Sequence, residues 1–158
     1  MLALLILIRQ YGRATPAGRR AIASLYLRSR KYINNWDLVD CSASRILGAA
    51  WADDDGGQLA TLAASRRVWD RRIAVITTFH DIARGRFDRA LTMAEALLDD
   101  PHDLMHKAVG WMLREIGTRD LAVERAFLDR HASRMPRTML RYAIERFPAA
   151  QRRAYLRR

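Results

Sequence analysis

Apolar positions recur along most of the chain at three- and four-residue intervals, the spacing of one helical face. Thr15-Pro16 reads as a helix start, with Thr as N-cap and Pro in the first turn. That helix is predicted to run to about Tyr32, with Ile22, Leu25 and Leu27 among its apolar positions. Asn34 or Asn35 caps a second helix carrying Trp36, Val39, Ile46 and Leu47. Asp53-Asp54-Asp55-Gly56-Gly57 reads as a loop. Ser65 opens a long helix, Arg67 to about Ala83, which Gly85 ends. Phe87, Ala90, Leu91, Ala94, Leu97 and Leu98 share one face of the next, and Asp100-Pro101 breaks it. Asp103 is expected to cap a helix to about Ile116 that Gly117 closes. Asp120 to Arg130 follows, then a helix opened by Pro136 and ending at Arg146, and a last one starting at Pro148.

No run alternates with the two-residue period of a half-buried strand, so the chain is expected to be all-α. The helices pair as 16–32 with 35–50, 67–84 with 87–98, 103–116 with 120–130, and 136–146 with 148–156. Pairs at such intervals resemble HEAT-type repeats, which stack into a curved solenoid with a concave face. A compact bundle is the alternative architecture. At 158 residues the chain fits one domain, residues 1–158, able to bury a real core.

Charge then narrows the function classes. Twenty-eight basic residues against 17 acids give a formal net charge of +11. Only Lys31 and Lys107 are lysine; the rest are arginine. A GC-rich coding bias explains arginine over lysine, but not the sign of the charge, which points to a polyanion. The charge is also uneven. Arg9, Arg13, Arg19, Arg20, Arg28, Arg30 and Lys31 precede Trp36 without one acid, and ten arginines meet three acids from Glu124 to Arg158. Two basic ends suit a grip on a phosphate backbone. The single cysteine, Cys41, excludes a disulfide framework. The apolar run Met1–Ile8 is too short to span a bilayer and lacks the features of a signal peptide, so a cytoplasmic, nucleoid-associated location is expected.

Three residues stand at repeat spacing. Trp36 to Arg72 is 36 residues and Arg72 to Trp111 is 39. Equivalent positions of stacked repeats face one way, and Asp40 lies one helical turn after Trp36. Each has an ordinary reading: a tryptophan at helical spacing is commonly a packing residue, as expected for Trp51 and Trp69, a lone acid is commonly solvated or capping, and Arg71-Arg72 reads as a surface pair. His80, His102, His106 and His131 show no metal-ligand spacing, and no cofactor or metal is expected.

The segments Ile33–Asp40 (INNWDLVD), Trp69–Ala74 (WDRRIA), Lys107–Glu115 (KAVGWMLRE) and Met135–Ile144 (MPRTMLRYAI) resemble the DNA alkylation repair family, which includes the AlkD-type DNA glycosylases. The resemblance covers nearly the whole chain. It implies a HEAT-like solenoid holding duplex DNA on a basic concave face, and hydrolysis of the N-glycosidic bond of cationic alkylated purines, 7-methylguanine and 3-methyladenine, without a base-specific pocket. The family's Trp, Asp, Arg, Trp pattern falls on Trp36, Asp40, Arg72 and Trp111. A positively charged purine is already a good leaving group, so the chemistry asks for electrostatic help at the sugar rather than a strong acid. Asp40 is expected to stabilise the oxocarbenium ion and orient water, the two indoles to cradle the sugar and backbone, and Arg72 to hold a phosphate. Arg71, Lys107, Arg114, Arg137 and Arg141 are expected to contact DNA.

Members of the family carry helices ahead of the segment that Met1 opens, so this array is expected to correspond to the C-terminal two thirds of the usual one. The first helix is apolar nearly all round, as though made to be covered by such helices, by a second copy or by a partner. Two other functions compete with catalysis: a non-catalytic DNA-shape binder or inactive truncated fragment on the same solenoid, and a scaffold for an acidic protein. The intact Asp40 argues against the first and the missing repeats argue for it; the second explains the charge but not the four-residue pattern.

Overall fold

The computed structural model describes residues 1–157. Three quarters of the chain is helical, and no strand occurs among the described residues. The chain divides into two compact units, Met1–His80 and Asp81–Arg158.

The first unit holds α1 (Leu2–Arg13), α2 (Pro16–Ser29), α3 (Trp36–Ala43), α4 (Gln58–Ala63) and α5 (Val68–Thr77). Thr15 caps α2 as expected, its Oγ1 accepting from Gly18 N at 3.3 Å. A 3-10 turn, Arg30–Tyr32, ends that segment. Asn35 caps α3. The helix runs on through a π turn, Ser44–Gly48, where one residue too many is taken into the coil. Gly48 explains how that wide turn packs. A Cβ there would lie 2.5 Å from His80 Cβ and 2.6 Å from the Thr77 carbonyl oxygen, so only glycine allows the approach. Ile46, Leu47, Leu59, Leu62, Ile73 and Ile76 fill the core that α3, α4 and α5 close.

One expectation needs correction here. The long helix read from Arg67 is two pieces, α5 and a short turn α6 (Phe79–Ile82). At the break the Thr78 hydroxyl donates to the Val75 carbonyl at 2.7 Å, a back-bond that bends helices. The region after the Asp53–Gly57 loop is helical, because Leu59 and Leu62 reach the core three residues apart. Tyr11 is the one buried residue of α1, while Leu2, Leu5 and Ile6 stand 46–72% exposed. No helix among the described residues is long and apolar enough to cross a membrane.

The second unit holds α7 (Asp88–Ala96), α8 (Asp103–Gly117), α9 (Leu121–His131), α10 (Arg137–Ala143) and α11 (Ala149–Arg157). The cap of α8 is His102 and not Asp103: the imidazole Nδ1 accepts from Leu104 N at 3.2 Å, and Asp103 sits in the first turn. Asp120 caps α9 through two backbone amides. Helix α8 runs through the middle of the unit and packs most closely on α10. Gly110 is why: a Cβ there would stand 2.4 Å from the Met139 carbonyl oxygen. Met105, Met112, Leu113, Ile116, Phe127, Leu128 and Met139 form the core around it.

That core encloses a carboxyl group. Glu124 on α9 is 2% exposed, and its Oε1 has no hydrogen-bond partner. Its carboxyl lies where a side chain on Gly117 would be, so the glycine makes its room. Burial pushes the group up to about 8 from an ordinary 4.5, against the opposing pull of Arg114 and Arg125. The folded chain therefore binds a proton between roughly pH 4.5 and pH 8 that the unfolded chain releases. Stability must fall as pH rises through that window and level off above it, a total of a few kcal/mol (~1.4 per unit). Glu124→Gln is expected to flatten the profile, matching the parent near pH 4 and exceeding it near pH 9. Thermal melts of both proteins across that range check this.

Candidate functional site

In the first unit, packing of α3 against α5 brings together two of the residues singled out by sequence. Asp40 on α3 and Arg72 on α5 form a two-pronged ion pair: Nε donates to Oδ1 at 2.9 Å and Nη2 to Oδ2 at 2.7 Å. The two sides of the pair differ in burial. The Arg72 side chain is 6% exposed and that of Asp40 17%. The guanidinium is inside the protein and the carboxylate is at its edge. Trp36, one turn earlier on α3, is 54% exposed. It stands at the first position of the helix, where the Asn35 side chain accepts from its backbone N–H at 2.9 Å.

Two further contacts fix α3. Ser42 donates to the Leu38 carbonyl at 2.5 Å, so the buried Tyr26 hydroxyl of α2 donates to Ser42, at 2.9 Å. On the α5 side, buried Asp70 accepts from Ser65 Oγ at 2.9 Å and pairs with Arg30 and Arg67. Arg71 donates to the Ser65 and Arg66 carbonyls at 3.0 and 3.1 Å, which ties down the turn before α5. Sequence reasoning passed over Tyr26, Ser42 and Asp70, since no motif marks a residue whose role is to hold a neighbour.

The other residues lie in the second unit. Trp111 is half-buried on α8, and its Nε1 donates to Glu115 Oε1 at 3.2 Å. Lys107, four residues before Trp111, pairs with Asp103 at 2.8 Å. Arg114 pairs with Glu145, and its Nε is buried without a hydrogen-bond partner beside the Glu124 region. Arg137 and Arg141 are exposed on α10, one turn apart. Of the five cations expected to reach DNA, these two are the ones presented openly; Arg71 and Arg114 are engaged with the protein itself.

What the arrangement can do follows from its parts. An ionised carboxylate has about four lone-pair sites, and Arg72 takes two. The remainder belong to a group at the protein surface, held in one geometry by a buried partner. Such a carboxylate can stabilise a cation at a fixed place without reorganising. The adjoining exposed indole offers a face that attracts positive charge.

Neither the curated proteins nor the solved structures contain a significant match to the chain. The family model for the DNA alkylation repair enzyme matches residues 1–147, nearly the full length, and the chain belongs to that family.

Proposed function

We propose that the protein is a DNA glycosylase that hydrolyses the N-glycosidic bond of cationic alkylated purines, 7-methylguanine and 3-methyladenine among them, in duplex DNA. Family membership carries a role in DNA alkylation repair with DNA as partner. The observation that carries the finer reading is the two-pronged Asp40–Arg72 pair with its carboxylate at the surface beside an exposed indole.

Loss of an N-alkylated purine leaves positive charge on the deoxyribose. The purine departs with the bonding electron pair and becomes neutral, so no proton need be delivered to it. Asp40 lowers the barrier by standing where the sugar's charge develops, and a water held by the same carboxylate adds to C1′ as the base leaves, its surplus proton passing to that carboxylate and then to solvent. Trp36, on the same helix as Asp40, supplies a face for the sugar, and Trp111, in the second unit, a face for the DNA backbone. Arg72 takes a different part from the phosphate clasp its sequence position suggests: buried and forked on Asp40, it is a positioning residue. In the second unit Arg137 and Arg141 contact phosphates of the duplex.

The test is release of 7-methylguanine from a duplex holding one lesion. Release by the parent supports the enzyme. Salt-dependent binding to DNA with no release from a well-folded parent supports the shape-binding alternative. Binding should weaken linearly in log salt, and replacing Arg137 and Arg141 together by Ala should reduce that slope by about 2 without changing preference among sequences. Titrations of both proteins at several salt concentrations measure this.

A further inference from the structure

A chain of contacts running from just past the end of α8 back along it ends on Trp111. Glu115 lies one turn beyond Trp111, and Arg119 one turn beyond Glu115. The indole Nε1–H donates to Glu115 Oε1 at 3.2 Å. Arg119 Nη1 donates to the other carboxylate oxygen, Oε2, at 3.0 Å and to the Glu115 carbonyl oxygen at 2.8 Å. The carboxylate is therefore pinned at both ends and is only 14% exposed. An indole has one polar handle, its N–H, and a ring held there loses its freedom to flip about χ2. The next residue toward the N-terminus, Gly110, sets α8 against the α10 backbone, so the helix that carries the ring is itself braced.

The geometry points to Glu115 as the positioning residue that fixes the Trp111 indole and strengthens its hold on a cation. This rests on the glycosylase reading for what the ring then faces. A carboxylate on the N–H edge pulls the indole dipole toward itself and leaves the ring face more negative, which is the property that attracts a cationic sugar. A bare carboxylate near DNA would also repel phosphates. Arg119 removes that penalty by neutralising Glu115 while leaving its hydrogen bond to the indole in place.

The experiment reads the indole directly and the chemistry separately. The chain has four tryptophans, so its ¹H–¹⁵N spectrum holds four indole N–H signals, and Trp111→Phe identifies the one that matters. In Glu115→Ala that signal is expected to move upfield and exchange faster with water. In Glu115→Gln, which keeps an acceptor, it should move less. Release of 7-methylguanine at saturating enzyme should fall about tenfold in Glu115→Ala and recover in part in Glu115→Gln, with duplex affinity and melting temperature close to those of the parent. An indole signal that stays in place in Glu115→Ala overturns the inference, whatever the activity. So does a signal that moves while release stays at the parent rate. A parent that releases no base, with the signal moving as expected, sinks the glycosylase reading and leaves the holding of the indole standing.

Discussion

Asp40→Asn is expected to reduce release of alkylated bases by two to three orders of magnitude, the usual cost of removing one preorganised charge from a transition state. Asparagine has nearly the same shape and keeps one acceptor oxygen, so duplex binding should survive. The amide does not neutralise Arg72, however, and turns an N–H₂ toward one guanidinium nitrogen. The pair is 6% and 17% exposed, so a melting temperature lower by several degrees should accompany the loss of activity. Single-turnover release and thermal melts on one preparation separate the two effects. Arg72→Ala is the companion. Sequence alone suggests weaker DNA binding with no unfolding. The buried fork changes that expectation to a loss of about 3–5 kcal/mol, together with a fall in release, because the carboxylate is no longer held. An Asp40→Asn protein that releases base at the parent rate would exclude Asp40 as the electrostatic group.

Gly110→Val should also have a large effect on stability. Glycine inside a helix costs about 1 kcal/mol against alanine, so its place in the middle of α8 needs a reason. The reason is contact between backbones: an added Cβ would meet the Met139 carbonyl oxygen at 2.4 Å and the Tyr142 Cβ at 2.6 Å. A backbone oxygen within α10 has no rotamer to retreat to. The helices must separate, and everything packed between them loses contact. A loss of more than about 3 kcal/mol is expected, which lowers the melting temperature of a protein this size by roughly 6–12 °C. Calorimetry of the variant measures it, and a shift under 2 °C would mean that α8 and α10 are not held as described.

Local chemistry was readable in the sequence where one residue settles it. Thr15 and Asn35 cap the helices that follow them because a short polar side chain reaches back to a free amide wherever it falls. His102 escaped because imidazole seldom serves as a cap and Asp103, a better one by type, stands beside it. Helix α4 escaped because six residues carry too few apolar positions to show a period. The spacing of Trp36 and Asp40 on one face was legible, as both belong to one helix. The Asp40–Arg72 fork was not: 32 residues separate the partners, and only the packing of α3 on α5 turns the guanidinium inward. For the same reason Arg71 and Arg114 read as surface cations, although one ties down a turn and the other pairs with Glu145. Glu115 was within reach, since a glutamate four residues after a tryptophan is a pair that any helix brings together.

Glu124 also alters the charge inventory. With its carboxyl at about 8, the folded chain at pH 7 ionises one acid fewer than the 17 its sequence contains, and carries about +12 where the formal sum is +11. Unfolding at neutral pH exposes that group and releases close to one proton to the solvent. The apparent heat of unfolding therefore includes the heat of protonating the buffer. It should be more endothermic in phosphate, which takes up a proton with little heat, than in Tris, which takes one up exothermically. One buried side chain thus makes a calorimetric quantity of this protein depend on what it is dissolved in.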